Sequence, residues 1–332
     1  MTLLPAIQAY IDMRQAHGVR FDKGAKEFRS FAGKVGDVPI NEIKPVQILD
    51  FLNGPRTGAV TWRKKFGLLK LFFEYWTARE LLEGSPMPPL RLPAALTVKP
   101  YVPYVYTHNE VRVLLRGTSL WENSSWNNRE TGRMNARTFR MFLLTLYATG
   151  MRTGEALHLL RKDVEVKRGT ITIRDGRSGR VRKIPIGPDL CARLHRHRRD
   201  LASVPNESPY FFVGKDGKAL NGIAVGRAFR KLRSLTGVQR YDGAIYQPRM
   251  HDLRATFAVH RLTSWLRQKA DLNRLIPALS AYMGQIGLGA TERYLKLTPE
   301  RFRTQLIKLS PQDRKRKRWR DDPALMKFLD GL

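Results

Sequence analysis

Apolar residues recur at helical spacing over most of this chain, and the pattern breaks clearly in two places. In "AIQAYIDMRQAHG" the positions Ile7, Tyr10 and Ile11 share one face, and Gly18 supplies a stop. "VQILDFLNG" begins after Pro45 and stops at Gly54, and "TWRKKFGLLKLFFEYWTARELL" gathers Phe66, Leu69, Phe72, Phe73 and Trp76 on one broad face. Its other edges carry Arg63, Lys64, Lys65 and Lys70, so residues 1–84 read as a small basic helical bundle. The first break follows: "GSPMPPLRLPAALTVKPYVPYVY" holds six prolines, too many for a helix and poor for a sheet interior, which predicts a linker over residues 85–106. Helical spacing resumes in "THNEVRVLLRG" and "NARTFRMFLLTLYATG". The second break is "TITIRDGRSGRVRKIPI", where β-branched residues alternate with basic ones and the stretch from Asp175 to Gly179 predicts a hairpin turn. Further helices run to about Leu309, which bounds a second domain at residues 107–309. A tail over residues 310–332 holds a basic run and then the apolar motif "ALMKFL". There is no internal repeat, and the basic run is the only low-complexity stretch.

Composition adds a partner to this outline. With 332 residues, 42% of them hydrophobic, there is enough chain for two cores of the usual size, roughly 100–200 residues each. Sixty Lys and Arg against 29 Asp and Glu give a formal charge of +31, spread along the whole length. A polyanion is the natural partner, and without a long apolar segment to enter a bilayer, nucleic acid is favoured over a membrane. One cysteine, Cys191, excludes a disulfide framework or a thiolate zinc site within one chain. The amphipathic N-terminus does not resemble a secretory signal, and the expected location is the cytoplasm, in association with DNA.

The chemistry begins with exclusions. No GxxxxGK[ST], no HExxH and no acidic cluster at metal spacing occurs, which disfavours an ATPase or a metal-dependent nuclease. Cations instead occupy chosen places. "LYATGMRTGEALHLL" breaks one helix at Gly150 and starts another near Thr153, leaving Arg152 in the joint, where free N–H groups can also face an anion. "MHDLRATFAVH" sets His251 and Arg254 three apart at another helix start. Two guanidiniums converging on one phosphate would stabilise the charge that builds up during its substitution. The plain alternatives are a helix-capping His251 and a surface Arg254. His158, His195, His197 and His260 read as structural, and Tyr282, in an apolar run, as core; Tyr246 is a further candidate phenol, while Tyr294 sits in polar "TERYLK".

The ordered series "ATGMRTGEALHL", a basic hairpin ending "RVRKIPIG", "HDLRATFAVH" and "LSAYMGQ…TERYLKLTPE" closely resembles the tyrosine recombinases, or phage integrases, over residues 107–300. The resemblance implies a mainly α fold with a small β-sheet: an N-terminal helical core-DNA-binding bundle and a mixed α/β catalytic domain. It implies that Arg152 and Arg254 hold the scissile phosphate, that Glu155 supports Arg152, and that His251 assists proton transfer. Tyr294 would be the nucleophile that forms a 3′-phosphotyrosyl link, so neither metal nor cofactor is needed. Arg177 stands where the family has a lysine that protonates the leaving oxygen, and Gln285 where it has histidine or tryptophan. Arg180 and Arg182 of the hairpin, with the basic edge of the bundle, are expected to contact DNA. The implied partner is double-stranded DNA with inverted-repeat arms, bound by a homotetramer, and an accessory DNA-bending protein is compatible with that scheme. The implied role is the mobilisation of a phage or transposon, with "ALMKFL" docking on a neighbouring subunit or the tail simply lying in solvent. Two other readings share these residues: a recombinase-derived DNA-binding protein that is weak or inactive in cutting, and a topoisomerase-like relaxing enzyme.

Overall fold

The computed structural model describes residues 1–332 except 20, 56, 91–100, 124–133, 175–178, 202–207, 245, 286–292, 296 and 299–332. The chain is mainly helical with one three-stranded sheet, and it divides into two compact units, Met1–Tyr101 and Val102–Leu332.

The first unit holds α1 (Leu3–Ala16), α2 (Asp22–Val35), α3 (Pro45–Leu52) and α4 (Ala59–Thr77). Pro45 opens α3 because its fixed φ suits a first turn and its missing N–H would have no helical partner there. α4 buries Trp62, Phe66, Leu69, Phe72, Phe73 and Trp76, the face that the spacing predicts. Aromatic edges bind the helices together: Tyr10 meets Phe28 at 5.6 Å and Phe72 at 5.5 Å between ring centroids. Each such buried side chain contributes about 1.5–3 kcal/mol of transfer free energy. The Trp62 indole is satisfied as well, donating to Asn53 Oδ1 at 2.9 Å.

The second unit comprises α5 (His108–Glu122), α6 (Ala136–Thr149), α7 (Thr153–Leu157), β1 (Val164–Glu165), β2 (Thr170–Arg174), β3 (Val181–Pro185), α8 (Pro188–Asp200), α9 (Gly222–Leu235), α10 (Asp252–Arg267) and α11 (Leu272–Met283). The expected linker does not run unstructured to residue 106. Tyr106 is fully buried in this unit, its N–H bonded to Thr256 Oγ1 and its hydroxyl to the Arg249 carbonyl, and Tyr104 donates to Glu110. Two tyrosines with polar tips can enter a core that proline-rich neighbours cannot. α5 then starts on a reciprocal cap between Thr107 and Glu110. α6 is buried on nearly every side, at Phe139, Phe142, Leu143 and Leu146 among others, and packs against α5, α8 and α10.

The sheet is antiparallel in the order β1-β2-β3, with Ile171 opposite Ile184, Thr172 opposite Lys183 and Ile173 opposite Arg182. Ile171, Ile173 and Ile184 are buried, so the alternation of β3 turns Arg182 inward and Lys183 outward. Among the described residues, no helix is long and apolar enough to cross a membrane.

Candidate active site

The site is assembled where three chain reversals meet. α6 ends at Gly150, whose φ is +61°, and a Cβ there would run into the Phe257 ring. Both the left-handed turn and the close approach require glycine. Two residues later Arg152 caps α7, and Glu155 reaches back to it: the Arg152 backbone N–H donates to Oε2 at 2.7 Å and its Nη1 to Oε1 at 2.8 Å. Arg182, from β3, adds two parallel bonds to the same carboxylate at 2.9 and 2.8 Å. Glu155 is only 7% exposed. Burial pushes its carboxyl up, but the hydrogen bonds and charges of Arg182 and Arg152 outweigh that and hold it below the usual range.

Arg254, one turn into α10, is 5% exposed, so it is not a surface cation. Its Nη1 donates to the Gly150 carbonyl at 2.6 Å and its Nη2 to the Met283 carbonyl at 2.9 Å. His251 occupies the helix cap without making a side-chain capping bond. Desolvation, then the positive charges of Arg254 and Arg152, lower its pKa against the opposing pull of Asp252 and Glu155. A neutral imidazole there is free to take up a proton.

α11 ends at Gly284, with φ +67°. Directly after it, Gln285 Nε2 donates to the Tyr294 hydroxyl at 3.3 Å. The Tyr294 ring packs against the apolar cluster of α10 and α11, and its phenol lies within reach of the Arg254 charge. A phenol oxygen beside the fixed guanidinium of Arg254, which itself neighbours Arg152 and His251, is a place where a phosphodiester can be bound and attacked.

Arg152, Glu155, His251, Arg254, Gln285 and Tyr294 thus come together, whereas Arg177 lies outside the described residues. Arg180 is exposed, but Arg182, expected on the DNA-facing side, is a correction: its side chain is 16% exposed and bound to Glu155, so it does not face outward. Its place beside Ile184 on the buried face was the available signal. In the first unit Arg63 and Lys64 are exposed and Lys70 pairs with Glu74 at 3.6 Å. Lys65 departs from expectation: it lies 3.9 Å from Glu27 and 4.2 Å above the Phe51 ring, because its stem is laid along the core.

The remaining candidates take structural places. Tyr282 stacks on Phe257 and donates to the Pro185 carbonyl, and burial pushes its phenol up to about 12. Tyr246 is 42% exposed, with Arg249 over its ring. His158 bonds the Gly154 carbonyl, while His260 stacks on His108 at 4.0 Å and meets Tyr147. Among the described residues, no group of His, Cys, Asp or Glu is placed to hold a metal.

Comparisons with known proteins bear on the chain and its fold. The model of the phage integrase family matches residues 125–284. A Sinorhizobium fredii protein named as an integrase/recombinase, y4rB, is 28% identical over 327 residues, 96% of this chain and 99% of its own. The tyrosine recombinase XerC of Staphylococcus saprophyticus is 24% identical, covering 80% of this chain and 81% of its own. Among solved structures, the integrase of transposon Tn1549 in complex with a circular intermediate DNA superposes with a TM-score of 0.64 at 16% identity, over 87% of this chain and 94% of that one. A lambda integrase tetramer bound to a Holliday junction gives 0.62 at 15% identity, over 89% and 77%. The family model covers just under half of this chain, the relatives resemble it in sequence over most of its length, and the solved structures share its fold.

Proposed function

We propose that this chain is a site-specific DNA recombinase that cleaves and rejoins duplex DNA through Tyr294. Arg152 and Arg254 bind the non-bridging oxygens of one phosphate. The Tyr294 oxygen attacks phosphorus and gives up its proton to His251, and the P–O5′ bond breaks as the O3′–P–O-tyrosine bond forms. The departing 5′-oxygen takes up a proton. Attack by the 5′-hydroxyl of a second strand then reverses these steps and frees the phenol, so the bond energy is kept and no nucleotide is consumed. Gln285 fixes the phenol by its hydrogen bond. Arg177 is assigned to the leaving oxygen, where a guanidinium, which keeps its proton, stabilises charge well and donates a proton poorly. Lys183 does not fill that role, since it faces away and is held by Glu165 at 2.6 Å.

The observation that carries this reading is that Arg254, fixed by the Gly150 and Met283 carbonyls, has the phenol of Tyr294 on one side and Arg152, held by Glu155, on the other as its charged or titratable neighbours. The substrate is duplex DNA with inverted-repeat arms, each arm taken by one subunit and four subunits joining two sites, with an accessory DNA-bending protein compatible with the assembly; a phage or transposon is the element moved. A cavity of about 470 Å³ lined by Phe257, Trp265, Leu275, Leu279 and Tyr282, with Arg193 and Arg261 beside them, suits the apolar "ALMKFL" of a neighbouring copy and the acids Asp322 and Asp330 that flank it. The test is Tyr294→Phe on nicked suicide DNA: normal site binding with no covalent band on a denaturing gel is expected, and a persistent adduct would assign the nucleophile elsewhere.

A further inference from the structure

Three consecutive carbonyls at the C-terminal end of α11 each receive one arginine from a different part of the second unit. Arg182 Nε bonds Tyr282 O at 3.0 Å, Arg254 Nη2 bonds Met283 O at 2.9 Å, and Arg152 Nη2 bonds Gly284 O at 3.2 Å. A helix end leaves its last carbonyls without helical partners and carries partial negative charge, so it can orient several cations at once. The site already described uses two of these arginines. The third has its guanidinium divided between Glu155 and Tyr282 O and fills the space over Gly284, where a Cβ would lie 2.7 Å from Nη1.

We propose that Arg182 is a positioning residue. By clamping Glu155 to the end of α11, it fixes the direction in which Arg152 presents its guanidinium, without touching DNA itself. The inference rests on the recombinase reading for what Arg152 binds, but its geometry does not depend on it. Without Arg182, Glu155 is left with Arg152 as its direct partner among the described residues, and His251 and Arg254 are the other charged or titratable neighbours among them. Desolvation then raises its carboxyl, and as pH falls a protonated Glu155 releases Arg152.

The experiment compares wild type, Arg182→Met and Arg182→Lys by DNA affinity, single-turnover adduct formation on suicide DNA from pH 5.5 to 8, and calorimetric binding of tungstate as a phosphate mimic. The expected result for Arg182→Met is DNA affinity within about twofold, adduct formation about 100-fold slower, the scale of an ångström-level misplacement, and a rate that climbs with pH to a midpoint above that of wild type. Arg182→Lys keeps a positive charge beside Glu155 and should restore the wild-type pH profile while recovering the rate only in part. Equal rates in all three proteins would overturn the proposal, as would parallel losses of affinity and rate with an unchanged pH profile. If wild type forms no adduct, the recombinase reading fails, and tungstate still decides: at least tenfold weaker binding by Arg182→Met supports the clamp, and equal binding refutes it.

Discussion

The two units of this chain solve folding in different ways. Among the described residues the first unit buries no charged side chain, and its core is a cage of aromatic rings. The second buries Glu155, Asp163, Asp252, Arg240, Arg254 and His197. Charges taken out of water are costly unless they are paired and hydrogen-bonded. Here Asp163 holds Arg174 through two bonds, Glu155 holds two arginines, and Arg254 ends on two carbonyls. The difference teaches where function lies: one unit is arranged for cohesion and an exposed basic surface, the other maintains buried cations against their tendency to leave the core.

Four experiments probe that contrast. The largest effect is expected in the aromatic cage: Phe72→Ala should destabilise the protein by about 3–5 kcal/mol, read as a shift in the urea midpoint, and a loss below 1 kcal/mol would mean the cage is not the main support of the first unit. In the second unit, Arg254→Lys keeps the charge but cannot hold Gly150 O, Met283 O and a phosphate together. Adduct formation should slow by about 10²–10³-fold, measured at a temperature where the variant is fully folded; a rate within threefold would remove Arg254 from the reacting centre.

The third experiment uses pH. His197 is 4% exposed beside Phe211 and Phe212, and burial lowers its pKa to about 4. Its folded value lies below its unfolded one, so as pH falls the unfolded chain binds the proton first, and stability is lost progressively between about 6.5 and 4. The loss is at most about 3 kcal/mol. His197→Phe should flatten the unfolding free energy across that window, and an unchanged slope would assign the acid sensitivity to other groups. The smallest effect concerns the exposed edge of α4. Replacing Arg63 and Lys64 together with Ser should lower the slope of log K against log salt for duplex DNA by about 1.8, at about 0.9 for each phosphate no longer neutralised. An unchanged slope would show that this edge does not face the phosphates.

Much of this was readable along the chain. The face of α4, the joint at Gly150 and the helix start at His251 follow from spacing and residue type, because local periodicity and turn chemistry act over a few residues; the grouping of Arg152, His251, Arg254 and Tyr294 comes from the resemblance to the tyrosine recombinases. The sequence also set the sign of the partner, through a charge of +31. It did not reveal that Lys65 lies along Phe51, that Tyr106 is anchored in the second core, or that Arg182 serves the interior. Basic residues on a strand or helix edge look alike in one dimension; their pairing is decided by groups far along the chain, here Glu27, Glu155 and the carbonyl of Tyr282. The sequence determined which side chains could do phosphate chemistry. Only the tertiary structure decided which of the arginines are held in place for it, because the carbonyls that hold them belong to a helix end 100 or more residues away from Arg152 and Arg182.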